Sequence, residues 1–168
     1  MRYPRIVGLR GQLVLAIALT LAVVSTAARA ETRLAILEGV QENPSISTSA
    51  IGVFVATIAD DEQSINVFLT YSPVEGGTVL AAHIHFAREF VNGAIVIHLC
   101  GSGGKPACPT PQGQVTVTLT AADVVEVAAQ GIAAGQLAEV ITAMRRGATY
   151  VNVHSQLAPS GEIRGQIQ

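Results

Sequence analysis

The stretch Gly113–Thr120, GQVTVTLT, alternates apolar and polar residues with a period of two. Val115, Val117 and Leu119 fall on one side of an extended chain, and polar residues fall on the other. Side chains of a β-strand point alternately to its two faces, so the pattern predicts a strand with one buried face.

Seven further segments show similar patterning, with many β-branched residues and with turn residues between them. They are RLAILEG (33–39), AIGVFVATI (50–58), SINVFLTYS (64–72), TVLAAHIHFA (78–87), GAIVIHL (93–99), TYVNVHS (149–155) and GEIRGQIQ (161–168). The chain is therefore predicted to be mainly β, with its strands in an antiparallel sandwich or barrel of the Greek-key or immunoglobulin-like kind.

The region around 121–146 departs from this pattern and is predicted to be a short helical insert. TAADVVEVAAQ starts at Thr120 and has Asp123 three residues on, as in a capping box. AGQLAEVITAMRRG then ends at Gly147, a residue typical of a helix exit. One helical face of that second segment carries Leu137, Val140, Ile141 and Met144.

Residues 1–30 are predicted to be a signal peptide that is cleaved after Ala30. Three arginines precede the apolar run QLVLAIALTLAVV, which is too short for a comfortable membrane span, and small residues flank the cleavage point. No second apolar run follows. We therefore expect one domain, residues 31–168, that is periplasmic or secreted and has left the membrane after cleavage.

Charge and motifs narrow the classes of function. Residues 31–168 carry six Lys and Arg against twelve Asp and Glu, and they contain no basic run with interleaved aromatic residues. Nucleic acid and anionic membranes are therefore not expected as partners. No G-x-S-x-G nucleophile motif occurs, so the sequence favours binding over catalysis.

Both cysteines of the chain lie in CGSGGKPAC, at Cys100 and Cys108. The Gly- and Pro-rich stretch between them can fold back, and in an oxidising compartment this predicts a disulfide. Closing so short a loop stabilises the fold by about 2–3 kcal/mol on the chain-entropy model. A thiolate metal or redox pair fits less well because the spacing is not C-x-x-C, and pairing with an external partner stays open.

All four histidines are predicted to point away from the core. In LAAHIHF (80–86), assigning the alternate apolar residues from Leu80 to Phe86 to the core sends His83 and His85 to the opposite face. The same alternation places further residues on the outer faces of three other segments. These are Val96 and His98 in GAIVIHL, then Tyr150, Asn152 and His154 in TYVNVHS, and finally Glu162, Arg164 and Gln166 in GEIRGQIQ.

Two histidines on one strand face are about 6.5–7 Å apart at Cα, which lets their ring nitrogens converge on one ion. Neutral imidazole is the usual nitrogen ligand of copper and zinc. The predicted ligands are His83, His85 and His154, with His98 as the fourth, and the orienting residues are Asn152, Glu162, Arg164 and Tyr150. Alternatively, exposed strand positions simply tolerate polar residues.

Five segments together suggest a family: LEGVQENP, AAHIHFA, NGAIVIHLCG, RRGATYVNVHS and SGEIRGQI. Their order from about Ala35 to Ile167 resembles the chordin-type (CHRD) domain, which occurs in an extracellular antagonist of growth factors and in exported bacterial proteins. The resemblance implies a β-sandwich and extracellular residence, with no established catalytic residues.

A more distant resemblance is to copper/zinc superoxide dismutase, which also has a His-x-His strand, later histidines and a nearby disulfide. The corresponding residues would be His83, His85, His98 and His154, with Cys100 nearby. The chain lacks a recognisable zinc-binding loop, and its two cysteines do not reach the C-terminal strand. The resemblance implies a superoxide-dismutase-like sandwich and a mononuclear copper site rather than a full dismutase centre.

Three hypotheses about function result. The first is an exported module that binds copper or zinc through the outer-face histidines. The second is a metal-free structural or interaction module that contacts another extracytoplasmic protein or a polymer. The third, and least favoured, is a superoxide-dismutase-like enzyme.

Overall fold

The computed structural model describes residues 30–168, which form eight β-strands and one α-helix. The strands are β1 (Glu31–Glu38), β2 (Ile51–Ile58), β3 (Ile65–Tyr71), β4 (Val79–Phe86), β5 (Ala94–Cys100), β6 (Gly113–Leu119), β7 (Thr149–Ser155) and β8 (Ile163–Gln166). The helix is α1 (Leu137–Arg145). The predicted signal peptide lies outside the described residues apart from Ala30.

The eight strands form one antiparallel sheet in the order β5-β4-β7-β8-β1-β2-β3-β6. Strands β5 and β6, at the two ends of this order, approach each other, so the sheet curls into a nearly closed barrel or sandwich. The prediction of a mainly β, antiparallel fold is confirmed. Strands β4 and β7 are neighbours in the sheet although they are far apart in the sequence.

The core lies on the concave side of this sheet and is filled by alternate residues of the strands. Phe54, Ile65 and Leu69 are fully buried, as the period-two pattern requires. On β6, Leu119 is buried, and Val115 and Val117 pack against the core from a partly buried position.

The first half of the predicted helical insert forms only two short 3-10 turns, Ala121–Asp123 and Ala128–Gln130, rather than a continuous helix. Thr120 and Asp123 do form a capping box, in which a carboxylate oxygen of Asp123 accepts the Thr120 backbone N–H at 2.8 Å. The helical turn nevertheless ends at Asp123, and Val124 forms an isolated bridge with Ile97 of β5. The valines that follow are β-branched and disfavour helix, and Val124 and Val127 are buried in the core instead.

The second half of the insert is confirmed as α1. Its predicted apolar face, Leu137, Val140, Ile141 and Met144, is at most 4% exposed and belongs to the core. Gly147 follows the helix with a φ of 61°, a left-handed conformation that favours glycine. Among the described residues, no helix is long and apolar enough to cross a membrane.

Bulges correct the predicted parity at two positions. Val79 pairs with Ser155 and Ala81 with His154, which leaves Leu80 as an extra residue that is 44% exposed rather than buried. On β5, the pairing skips Val96, and this residue is fully buried rather than on the outer face. A bulge inserts one residue and so interrupts the strict alternation of sides.

Replacement of Met144 by alanine is expected to lower the free energy of unfolding by about 2–5 kcal/mol, because it removes a fully buried side chain of α1. Thr142→Ala on the exposed side of the same helix is the matched control, with an expected change within about 0.5 kcal/mol. Denaturant unfolding measures both. Equal effects would contradict the docking of α1 on the core.

Candidate metal centre

Strand pairing lines up polar residues across four neighbouring strands. His98 of β5 pairs with His83 of β4, His83 pairs with Asn152 of β7, and Asn152 pairs with Arg164 of β8. Residues directly opposite each other in an antiparallel sheet point to the same face. These side chains therefore form one polar row on the face that points away from the core.

Three histidines of this face, His83, His85 and His154, converge, and we call them the histidine cluster. His83, His85 and His154 each offer one ring nitrogen, and these nitrogens lie within 4.8 Å of one another. The Nδ1 atom of His83 is 3.0 Å from Nε2 of His154. The ring centroids of His83 and His85 are 5.6 Å apart. The fold thus brings together the three residues that the sequence analysis ranks first as metal ligands.

The ring of His98 contacts that of His83 edge-on, with centroids 4.9 Å apart, but its nitrogens are not part of the converging set. Its Nδ1 is 2.8 Å from the hydroxyl oxygen of Ser102, and the same oxygen is 2.7 Å from Nε2 of His83. The predicted fourth ligand therefore reaches the histidine cluster through Ser102 rather than through a ring nitrogen of its own.

Backbone carbonyls fix the orientation of two rings. Nδ1 of His85 is 3.0 Å from the carbonyl oxygen of Gly93, and Nδ1 of His154 is 3.0 Å from that of Pro159. A carbonyl can only accept, so each Nδ1 carries the proton and each Nε2 presents a lone pair. Within residues 30–168, Nε2 of His85 is buried and has no hydrogen-bond partner.

The polar face of the sheet is covered rather than exposed. His83, His85 and His154 are only 6–8% exposed, and Arg164 is 1% exposed. The loops that follow β4, β5 and β7 supply Gly93, Ser102 and Pro159 to the ring nitrogens. The alternative that these histidines occupy exposed strand positions is therefore wrong.

Burial keeps the imidazoles of the cluster neutral. It lowers the pKa of His83 to about 3 and the pKa of His85 to about 4, with neighbouring histidines adding to both shifts. Burial also lowers the pKa of His154. A metal competes with protons for a ring nitrogen, and at neutral pH this cluster presents lone pairs with little such competition.

Two of the predicted orienting residues form a stack on the cluster, with Tyr150 against His85 and Arg164 against Tyr150. The Tyr150 ring stacks on that of His85, with centroids 4.7 Å apart and planes 3° from parallel. The guanidinium carbon of Arg164 lies 3.4 Å from the centroid of the Tyr150 ring. Arg164 also donates to the carbonyl oxygens of Arg88 and Val91, at 3.2 and 2.9 Å. It thus ties the loop after β4 to the sheet.

The other two orienting residues differ in their contacts. Asn152 lies in the row with His83, and its Oδ1 is buried without a partner in the described part of the chain. Glu162 is buried but accepts hydrogen bonds from Thr48 and from the backbone N–H groups of Glu75 and Gly76. Its carboxylate therefore fastens two loops together instead of orienting a histidine.

Ser102 is a site residue that the sequence analysis missed. It lies in the loop closed by the disulfide between Cys100 and Cys108, so the predicted disulfide is present in the structure. The next residue, Gly103, has a φ of 59°, and a Cβ there would collide with the ring of His98. A serine four residues after a histidine has no distinctive sequence signal, because its role depends on how this loop folds back.

Glu42 is a second residue that the sequence analysis missed. It lies in LEGVQENP, is 6% exposed, and its Oε1 has no hydrogen-bond partner among residues 30–168. Burial raises its pKa to about 7, although the nearby charge of Arg164 opposes the shift. Part of this carboxyl group is therefore protonated at neutral pH.

The comparisons with known proteins identify the family. A model of the CHRD domain matches residues 34–167, which is most of the chain. The chain therefore belongs to the CHRD domain family, as its resemblance implied. No curated protein and no solved structure matches it. Family membership points to an extracellular module, and the disulfide fits an oxidising compartment.

Glu42→Gln is expected to stabilise the protein at high pH. The folded-state pKa of about 7 exceeds the ordinary value of 4.5, so protonation of Glu42 contributes stability below pH 4.5 that is lost as the pH rises through 7. The difference in unfolding free energy between the variant and wild type should therefore be more favourable to the variant at pH 8 than at pH 4.5, by about 3 kcal/mol.

Denaturant unfolding at both pH values measures this gain. Glu126→Gln, which alters an exposed carboxyl group, is the control and should show no comparable difference between the two pH values. A gain that is equal at both pH values, or confined to low pH, would contradict the raised pKa of Glu42.

Proposed function

We propose that this CHRD domain is a periplasmic or secreted binding module that holds one copper or zinc ion between His83, His85 and His154. The convergence of three ring nitrogens in a covered part of the sheet carries the proposal. Imidazole nitrogen is a good donor for both metals, and the buried rings are neutral.

The spacing of the nitrogens supports a single ion. Zinc–nitrogen bonds of about 2.0–2.1 Å in a tetrahedral site separate the ligand nitrogens by about 3.3 Å. Nδ1 of His83 and Nε2 of His154 are 3.0 Å apart, and all three nitrogens lie within 4.8 Å. Movements of about 1.5 Å or less would therefore bring the three donors to binding distance.

The hydrogen bonds around the cluster support the same ligand set. A metal-bound histidine usually donates its other ring N–H to a carbonyl or another acceptor, which fixes the ring. The carbonyls of Gly93 and Pro159 accept from His85 and His154 in this way. Nε2 of His154 can only accept, so Nδ1 of His83 donates to it in the structure. An ion would displace this proton to Nε2 of His83, where the Ser102 hydroxyl can accept it, and Nδ1 would then be free to bind the ion.

An ion would also satisfy a buried atom. Nε2 of His85 has no hydrogen-bond partner in the described residues, and an unpaired buried acceptor costs about 1–3 kcal/mol. Coordination removes this cost. For nitrogen ligands of this kind, the usual order of metal affinities predicts tighter binding of Cu²⁺ than of Zn²⁺.

Calorimetric titration with Cu²⁺ and with Zn²⁺ tests the proposal. His85→Ala removes one of three ligands and is expected to weaken binding by about 100-fold or more, whereas His98→Ala should change it only a few-fold. Circular dichroism checks that both variants fold. Wild-type binding weaker than about 1 mM for both ions, or equal losses in the two variants, would contradict the proposed ligand set.

A second candidate function, contact with another extracytoplasmic protein, is supported by an apolar patch on β1–β3. Ile36 pairs with Val53, and Val55 pairs with both Leu34 and Phe68, so these side chains adjoin on the outer face. Four of them are 37–55% exposed. A contiguous exposed apolar patch is typical of an interaction surface.

The double variant Ile36→Lys with Val53→Lys tests this second candidate. It is expected to abolish capture of a partner from the exported fraction in the presence of chelator. Ala122→Lys with Ala129→Lys adds the same charge at two exposed positions between β6 and α1, off the strands that carry the patch, and should retain capture. Loss in both variants, or in neither, would contradict a role for the patch.

A further inference from the structure

A cleft of about 550 Å³ opens between α1 and the loop that follows β4. Phe86, Val91 and Ala143 supply apolar wall, and Arg88 and Arg146 supply charge. The volume lies in the range of small-molecule sites, which combine apolar walls with a few polar groups. The cleft shares none of its lining residues with the histidine cluster.

The two arginines of the cleft are exceptional in this acidic chain. Of the six Lys and Arg side chains in residues 30–168, Arg33, Lys105 and Arg145 are in ion pairs, and Arg164 is bound to carbonyl groups. Over the same residues, the guanidinium groups of Arg88 and Arg146 make no hydrogen bond or ion pair. Both of these unpaired cations line the same cleft.

The side chain of Gln166 clamps together the segments that carry these arginines. Its Nε2 donates to the carbonyl oxygens of Ala87 and Gly147, at 3.0 and 2.8 Å. These residues adjoin Arg88 and Arg146 in the sequence, and Gln166 itself is 9% exposed. A buried amide thus fixes the two arginine-bearing segments side by side at one end of the cleft.

The negative charge of the cleft, Glu139, lies near the N-terminal end of α1. Glu139 precedes Arg146 by seven residues, which separates them by about 10 Å along the helix axis at 1.5 Å per residue. The cleft therefore has a cationic end at Arg88 and Arg146, and a carboxylate farther away. A ligand with an anionic group at both ends would be repelled by Glu139.

We propose that this cleft binds a small organic monocarboxylate. Its carboxylate would contact Arg88 and Arg146, because a guanidinium group matches the geometry of a carboxylate with paired N–H donors. Its apolar body would lie against Phe86, Val91 and Ala143. This site is independent of the metal proposal.

The test is a titration of the protein with 4-phenylbutyrate in the presence of chelator. Binding is monitored through the amide NMR shifts of residues 86–92 and 139–148. Binding tighter than about 1 mM is expected. The uncharged 4-phenylbutanol and the dicarboxylate suberate should both bind at least about tenfold more weakly, a loss equivalent to one strong charged contact.

Variants locate the binding. Arg88→Gln with Arg146→Gln is expected to weaken 4-phenylbutyrate binding by at least about tenfold. Arg33→Gln with Arg145→Gln removes the same charge outside the cleft and should change binding less than threefold, a difference below about 0.7 kcal/mol. Absence of binding at 1 mM, equal binding of the alcohol, or equal losses in the two double variants would overturn the proposal.

Discussion

The pairing of β4 with β7 is the constraint on which the histidine cluster depends. It sets His83 opposite Asn152 and His85 opposite Tyr150, with His154 beside Ala81 on the same face. A slip of one residue in either strand would turn that strand's polar residues into the core and its apolar residues outward. The burial of Ile84, Val151 and Val153 therefore fixes the position of the histidines.

Covering a polar face requires partners for every group that leaves water. The three loops over this face provide them largely from their backbone, through carbonyls at Gly93, Pro159 and the Arg88–Val91 turn. Arg164 is an example, because burying a guanidinium group costs free energy unless its N–H groups donate to acceptors, here the carbonyl oxygens of Arg88 and Val91. Five buried side-chain atoms of the described chain lack a hydrogen-bond partner, and three of them, on His85, Asn152 and Glu42, lie around the candidate centre.

The sequence predicts what is local and misses what depends on distant pairing. Alternation within a strand places His83, His85 and His154 on one face, and helical spacing predicts α1. Alternation by itself gives no reason to rank His154 ahead of His98, since both lie on outer faces and only the strand order and loop contacts separate them. Bulges at Leu80 and Val96, and the fold of the loop carrying Ser102, arise from strand pairing and chain closure, which no short pattern encodes.

The separation of His83 and His154 by 71 residues has a consequence for the order of assembly. Closing a loop of this length costs entropy before the contact forms, and His154 lies on β7, the strand before the last, so we expect it to join His83 and His85 only after most of the domain has been synthesised. A chain whose last strands have not yet been synthesised carries two of the three rings and cannot present the third. The complete cluster is thus a property of the finished fold, unlike a binding loop that is contiguous in sequence.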